Sequence, residues 1–418
     1  MDISCQYLPG LYHLLTITSD FKMGAKGYIY VVSISAIAIT GCKKPYTPSV
    51  VASNNNYLVI EGVINSGLDS TVIQLSRTVN LTGKTTVNPE SGAQVSVQGD
   101  QNISYALKET KPGRYVSAPL NLDKSHKYLL KIVSADGRVY QSDMVEVRTT
   151  PPIDTLYYTT DNTEVNIFTA THDPANNTRY YRWDFTETYI YETPRTTNFI
   201  YNGSIKYISQ RVVSRTPDQY INLCYDTDTA TSIILNSSAK LARDVINNNP
   251  ITQIPSVSEK ILHRYSILVK QYALTSEAYN FWQNLKKNTE QLGSIFDALP
   301  SEVNGNIHCV SNPSEPVIGY MSVCSVSQKR IFIDRTELPV WPYILPTCNV
   351  PGMTISWLRQ QGIPVALTNG VDIPVAPIGS GFDKVHQDSV YSVSVREYSC
   401  VDCRYHNFGT TLKPTFWK

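Results

Sequence analysis

The sequence predicts a mainly β, exported protein, and three observations carry this prediction. Charged residues make up only 17% of the 418 residues, whereas tyrosine occurs 28 times and proline 24 times. Tyrosine favours strands and proline punctuates turns, so this composition is typical of a β-rich fold rather than of a charged helical one. Short segments that alternate apolar with polar residues recur along most of the chain, as half-buried strands require.

The charge balance excludes one large class of function. The chain carries 36 Lys and Arg against 35 Asp and Glu, a net charge of +1, and it has no basic block. Contacts to phosphate supply most of the free energy of non-specific nucleic-acid binding, and they require such a block. We therefore expect no nucleic-acid partner.

Residues 1–41 are predicted to be a leader that is removed on export. Residues 1–22 precede a better start at Met23, which is followed by a cationic residue and an uncharged run over residues 28–40, the pattern of a signal peptide. This run is shorter than the about 20 residues that cross a bilayer. It ends in Ile39-Thr40-Gly41-Cys42, which resembles a bacterial lipobox. We expect Cys42 to become the lipidated first residue; an unmodified cysteine after an ordinary signal is the alternative.

Lipidation at Cys42 predicts attachment to the outer membrane. Acyl chains contribute about 0.8 kcal/mol per buried methylene, so two or three of them anchor a protein stably. Lys43 stands where an inner-membrane retention signal has Asp. Acidic residues that often accompany surface display do not follow, so the periplasmic and the cell-surface face both stay open. Residues 42–55, rich in Pro, Ser and Asn, are predicted to be a flexible tether between the lipid and the fold.

Residues 56–149 are predicted to form an Ig-like or transthyretin-like β-sandwich. Alternating segments follow one another at short intervals, and the turn dipeptides Pro112-Gly113 and Asp136-Gly137 stand between them. This spacing and turn chemistry are typical of a sandwich. The segments are 57–64, 70–76, 92–98, 103–107, 114–117, 127–133 and 138–147.

Residues 150–418 are predicted to form a larger β-rich domain with one main helix. Pro151-Pro152 marks the boundary, because proline cannot donate to a sheet ladder. After Thr275, a possible N-cap, apolar residues recur every three or four positions over 276–292, which predicts a helix. The strand candidates are 153–159, 181–186, 198–213, 231–235, 265–270, 317–324, 330–334 and 391–398.

Six cysteines remain beyond the leader and Cys42, and an even number in an oxidising compartment predicts disulfides. They are Cys224, Cys309, Cys324, Cys348, Cys400 and Cys403. Six cysteines allow fifteen pairings, and the sequence does not choose among them. Cys400 is expected to form a disulfide, most simply with Cys403 or otherwise with a partner that the fold brings close. Two alternatives stay open: a redox-active CxxC pair, and a zinc site in which Cys348 or Asp402 joins Cys400, Cys403 and His406.

No catalytic residue, metal site or cofactor is predicted. The seven histidines form neither an HExxH motif nor any other i,i+4 pair. Two carboxylates could still meet in space, as in glycosidases. Asp184 and Glu187, however, stand at odd separation on one predicted strand, so we expect them to face opposite sides.

Five segments resemble an uncharacterised family of Bacteroidota lipoproteins, domain-of-unknown-function family 4249. The most specific of them is YSILVKQYALTSEAYNFWQNLKKNTEQLGSIFD over residues 265–297; the others are 180–189, 223–241, 316–334 and 400–417. With the lipobox and the sandwich, the resemblance covers nearly the whole mature chain. It implies an outer-membrane lipoprotein of a kind often encoded beside TonB-dependent transporters of the starch-utilisation type, and it implies no activity or binding residue.

The same bacterial group has an O-glycosylation pattern in which Asp precedes Ser or Thr. Four triplets of this chain fit it, which makes Ser70, Thr155, Thr229 and Ser389 candidate acceptors. These residues are predicted modification sites, not binding residues.

The sequence as a whole predicts a binding function. We expect a non-catalytic accessory subunit, held at the outer membrane by its lipid, whose partner is a TonB-dependent β-barrel transporter. The alternative is a cell-envelope enzyme that acts on a glycan or a peptide.

Overall fold

Strands dominate the fold, as predicted. The structure is a computed structural model, and it describes residues 56–79, 88–196, 198–201, 212–290, 304–342, 353–354, 372–379, 392–397, 401–407 and 409–418. The predicted leader, Cys42 and the tether lie outside these residues. Residues 56–418 make up one compact unit, and the predicted division of this unit at residues 149/150 stays a prediction.

The strands of the first part of the chain begin just after the predicted tether. They are β1 (Leu58–Asn65), β2 (Ser70–Arg77), β3 (Asn88–Pro89), β4 (Gln94–Gly99), β5 (Ser104–Lys111), β6 (Arg114–Pro119), β7 (Lys127–Val133), β8 (Val139–Ser142), β9 (Val145–Glu146), β10 (Ile153–Thr160), β11 (Glu164–His172) and β12 (Tyr180–Glu192).

The later strands flank the one α-helix among the described residues, α1 (Ser276–Glu290). They are β13 (Phe199–Tyr201), β14 (Val212–Ser214), β15 (Leu223–Thr229), β16 (Ile234–Ser237), β17 (Val245–Pro255), β18 (Arg264–Leu274), β19 (Ile307–Cys309), β20 (Val317–Ile318), β21 (Val323–Cys324), β22 (Val326–Asp334), β23 (Met353–Thr354), β24 (Asp372–Gly379) and β25 (Ser392–Glu397).

The first sheet combines β1–β9 with three strands from much later in the chain. Its path runs β19-β8-β7-β4-β5-β6-β2-β1-β20, with β21 also paired to β1. The end strands β19 and β20 contact each other, so the sheet is nearly closed around its own core. Leu130 and Ile132 of β7 lie in that core together with Met321 and Val323. The segment of residues 304–325, here called the return segment, is therefore part of the first sheet. The Ig-like or transthyretin-like assignment stays a prediction.

The second core lies between two further sheets. One has the order β10-β11-β17, and the other has the order β15-β12-β18-β22 with β16 also on β12. Trp183 is fully buried between them. Its indole Nε1 donates to the side-chain oxygen of Gln271, 2.9 Å away, while the amide nitrogen of Gln271 donates to Pro151 and Thr171. A buried amide with all these partners fixes the position of the Trp183 ring.

The helix prediction is confirmed, and its start has the expected cap. The Thr275 hydroxyl accepts a hydrogen bond from the backbone N–H of Ala278 at 3.2 Å, which satisfies one of the free donors of the first turn. Two long strands were missed. In β11 the inward positions include Thr169 and Thr171, and β17 contains three asparagines followed by Pro250, so neither has the apolar alternation of a strand.

Among the described residues, no helix combines the length and the apolarity that crossing a bilayer requires.

Candidate ligand-binding cleft

The two faces of the sheet β15-β12-β18-β22 have different neighbours. Odd-numbered residues of β12 and β18, such as Trp183 and Ile267, pack into the second core. The even-numbered residues form the opposite face, here called the outer face. Strand register places them in rows: Arg182 beside Tyr272 and Val326, and next to that row Asp184 beside Lys270 and Gln328.

The outer face is covered at both ends but open in the middle. At one end α1 covers Tyr272 and Leu274, because Ala278 of the helix packs in the same cluster. At the other end Trp417 packs edge-on against Tyr225 and Phe332, with ring centroids 5.1 and 5.7 Å apart. Between these covers, Asp184, Lys270 and Gln328 are half-buried or exposed. The strands thus present a polar row to an open space.

This space is a cleft of about 640 Å³. Its floor is the open part of the outer face, and its opposite wall comes from β1, β2 and the turn that joins them, including Glu61, Asp69 and Ser70. The side-chain amide of Gln328 donates to Asp69 at 3.4 Å, which links floor and wall at one point. The volume falls within the range of sites that take small ligands, about 300–1,000 Å³.

Arg182 lies in the cleft between two aromatic rings and a carboxylate. Its guanidinium carbon lies 4.8 Å from the ring centroid of Tyr272 and 4.3 Å from that of Trp282, and its Nη2 lies 3.2 Å from Asp184 Oδ2. Two rings and a carboxylate hold the side chain in one conformation. Its buried Nε finds no hydrogen-bond partner among the described residues.

Burial and charge also keep Tyr272 neutral. The phenol is buried against the sheet, which raises its pKa well above the ordinary value, and the nearby carboxylate of Asp184 raises it further. Tyr272 therefore contributes a ring and a hydroxyl to the cleft but no charge at neutral pH.

Lys270 and Lys260 differ in whether described carboxylates pair with them. Within the described part of the chain, no side chain forms an ion pair or hydrogen bond with Lys270. Lys260 lies in a second cavity, where its Nζ is 2.7 Å from Glu187 and 2.8 Å from Asp228. Burial alone would lower the pKa of Lys260, but these two hydrogen bonds outweigh burial and raise it. Lys260 is thus a structural ion, whereas Lys270 has no such partner among the described residues.

The expectation for the two carboxylates of β12 is confirmed. Asp184 lines the cleft, whereas Glu187 lines the second cavity on the other side of the sheet. They do not form a pair.

Three candidate O-glycosylation hydroxyls lie within the described residues. Ser70 is exposed at the cleft wall, and Thr155 and Thr229 are exposed on β10 and β15. Ser389 lies outside the described residues, and modification at all four stays a prediction.

The cysteines pair differently from the simplest expectation. Cys224 on β15 is bonded to Cys403, 179 residues later, so the simplest pairing, Cys400 with Cys403, is wrong, and a disulfide between Cys400 and another cysteine stays a prediction. Cys309 and Cys324 are free and buried, although both were disulfide candidates. Burial raises the pKa of Cys324 to about 12, which makes its thiol unreactive. Cys348 and Cys400 lie outside the described residues.

The CxxCxxH motif forms neither the redox-active CxxC pair nor the zinc site that the sequence left open. Cys403 is oxidised, and the His406 ring stacks on Tyr191 with centroids 3.7 Å apart. Its Nδ1 lies 2.5 Å from Asp226 and its Nε2 lies 3.0 Å from Glu259. Among the described residues no group of His, Cys, Asp and Glu is arranged to hold a metal ion.

Sequence reasoning missed the cleft, although one signal pointed to it. The alternation of aromatic residues with Arg182 and Asp184 indicated a strand with a polar face. Which residues would join that face was not predictable, because β18 and β22 lie about 80 and 140 residues further along the chain and their register is a property of the folded sheet.

Comparison with known proteins gives one family. A family model described as Domain of unknown function (DUF4249) matches residues 43–330. No curated protein matches the chain.

Proposed function

The chain belongs to the DUF4249 family, and from this premise we propose that it is a lipid-anchored outer-membrane protein that acts by binding. In this proposal it is a non-catalytic accessory subunit of a TonB-dependent transport system. We propose the transporter as the partner because the family that this chain resembles is often encoded beside transporters of this type.

The cleft is the observation that carries the binding role. Arg182 is held by Tyr272, Trp282 and Asp184 before any ligand arrives. A site that is ordered in advance loses less conformational entropy when it binds, so more of the contact energy contributes to affinity. Lys270 lies beside it with no described partner. The arrangement suits recognition of a polar molecule.

Two features support a place outside the cytoplasm. The bond between Cys224 and Cys403 fits an oxidising compartment. The motif that ends at Cys42 supports a lipid anchor. A tether of the predicted length confines the folded part near the membrane, and such confinement raises the effective concentration of a membrane-resident partner toward the millimolar range.

Affinity purification from detergent-extracted outer membranes tests the proposal. The tagged full chain is expected to carry acyl groups on Cys42 and to bring a β-barrel transporter with it. A Cys42→Ala variant, the matched control, should leave the membrane fraction and lose the transporter. The proposal is wrong if the native protein never accompanies a barrel protein while its soluble form turns over a glycan or a peptide at enzyme-like rates.

A further inference from the structure

We propose that the cleft binds a neutral saccharide. This inference rests on the binding function proposed above and names the class of ligand that the cleft would take.

The charges of the cleft nearly cancel. Three carboxylates (Glu61, Asp69 and Asp184) face two cations (Arg182 and Lys270). An anionic ligand could reach Lys270, but it would also lie close to Glu61, Asp69 and Asp184. A cationic ligand could reach Glu61 and Asp69, but Arg182 already occupies Asp184 and the ring faces of Tyr272 and Trp282, and Lys270 would repel the ligand. Neither sign of ligand charge is favoured, so the cleft selects for neutral ligands.

The floor offers hydrogen bonds of both kinds in one line. Asp184 only accepts, Lys270 only donates, and Gln328 does both. Register places the three side by side on neighbouring strands, which lie about 4.8 Å apart. The hydroxyls of Ser70, Thr231 and Ser232 add further groups of both kinds around the cleft. A sugar ring presents several hydroxyls that each donate and accept, so it can satisfy such a row without bringing charge.

Apolar side chains line the cleft beside the polar row. The rings of Tyr272 and Trp282 lie against Arg182 and so offer a ligand little open face. Val63 and Val72, which pair across β1 and β2, form an apolar surface on the opposite wall, and Ile233 and Val326 also line the cleft. A lipid or an apolar peptide side chain would leave the polar row unsatisfied, which is costly. The C–H side of a sugar ring is small enough to lie on two valines while its hydroxyls reach the row.

The test uses the folded mature chain on an array of neutral oligosaccharides, uronic-acid and sulfated oligosaccharides, and tripeptides. The tightest neutral saccharide is then titrated by calorimetry against Lys270→Met, Asp184→Asn and the control Lys108→Met, an exposed strand lysine outside the cleft. We expect binding that weakens about tenfold or more in Lys270→Met and Asp184→Asn, the loss expected for one hydrogen bond to a charged group, and that is unchanged in Lys108→Met. Circular dichroism of each variant shows whether it is folded.

Three results would overturn the ligand class: binding of charged oligosaccharides only, binding of tripeptides only, or binding of neutral saccharides that neither cleft variant weakens. The proposed function is tested by a separate measurement. Affinity purification from outer membranes shows whether the wild-type and the Lys270→Met chains co-purify with a β-barrel protein. A barrel that accompanies both chains, with no neutral saccharide bound, would leave the accessory role standing and remove only the saccharide.

Discussion

The chain returns twice to sheets that it built earlier, and it fastens the two returns by different chemistry. The return segment, residues 304–325, is held to the first sheet by ionic contacts in addition to its strand pairing: Glu315 accepts from Arg138 at 3.0 Å and from Tyr140 at 2.7 Å, and lies 3.6 Å from Arg77. The last residues, 401–418, wrap around β15 by the covalent bond from Cys403 to Cys224 and the contact of His406 with Asp226.

The difference teaches what each fastening depends on. The side chains of Arg77 and Glu315 are only 4% and 10% exposed, so their attraction is weakly screened by solvent and each needs the other to offset its desolvation. The bond between Cys224 and Cys403 needs no such balance. It acts mainly by restricting the unfolded chain, and it depends on the redox state of the surroundings rather than on charge.

The largest expected effect comes from breaking the ionic fastening. Glu315→Ala leaves Arg77 buried without one of its two carboxylates, since only Glu90 at 2.7 Å remains. We expect the free energy of unfolding to fall by about 3–5 kcal/mol, as for other buried pairs that lose one partner. Urea denaturation measures this loss.

The matched control for that variant is Glu146→Ala. Glu146 pairs with Lys127 at 3.3 Å but is 59% exposed, so we expect its loss to cost less than about 1 kcal/mol. Equal losses in the two variants would show that burial does not set the strength of the ionic fastening.

Breaking the covalent fastening is expected to have the next largest effect. The double variant Cys224→Ser/Cys403→Ser opens a loop of 179 residues and should lower the free energy of unfolding by about 2–4 kcal/mol. Dithiothreitol should destabilise the wild type more than the double variant, by a similar amount. Glu315→Ala should keep its full sensitivity to dithiothreitol, because the two fastenings share no residue.

The smallest expected effect is a pH dependence of the C-terminal fastening, and it comes from His406. The hydrogen bond to Asp226, together with the charges of Glu259, Asp226 and Asp228, raises the pKa of His406 despite its partial burial. The contribution of His406 to the free energy of unfolding is therefore fully present below the pKa of histidine in the unfolded chain, about 6.5. It is lost as pH rises through the raised pKa of His406 in the folded chain. The difference in unfolding free energy between wild type and His406→Gln should shrink by up to about 1 kcal/mol from pH 6 to pH 9. His308 forms an exposed pair with Asp143, and such surface pairs contribute little, so His308→Gln is the control that should leave the free energy of unfolding nearly unchanged.

Glu315 should respond in the opposite direction. Burial alone would raise its pKa, but hydrogen bonds from Tyr140 and Arg138 outweigh burial and lower it. The stability from Glu315 is therefore present above its unfolded pKa, about 4.3, and is lost as pH falls through the lowered folded pKa. Acid weakens the return segment, and alkali weakens the C-terminal fastening. If both variants lost their effect on the same side of neutral pH, this assignment would be wrong.

The sequence predicts the parts whose causes are local. Strand β7 occupies the predicted residues Lys127–Val133, because its alternation and flanking turns lie within a few residues. The helix begins after Thr275 for the same kind of reason. Strand β17 was missed because its pattern is interrupted: Asn248 has a φ of 52° and the ladder to β11 shifts register nearby.

The cleft and the disulfide are formed by residues that lie far apart in the chain, so their partners could not be predicted from the sequence. Composition and compartment predicted that cysteines would pair, but the choice of Cys224 for Cys403 follows from the path of the last residues around β15. That Asp184 and Glu187 face opposite sides of the sheet was predictable from one strand alone. That Lys270 lies next to Asp184 follows from the register of the sheet.

The return segment also has a consequence for how the protein comes to fold. β1 pairs with β2 soon after it is made, but its other edge waits for β20 and β21, which lie about 260 residues later. Until then that edge is an unpaired template of the kind that recruits foreign strands. Contacts of such sequence separation close slowly. A nascent chain released before residue 325 is therefore expected to aggregate through β1, and the first sheet matures only after the chain has completed most of its length.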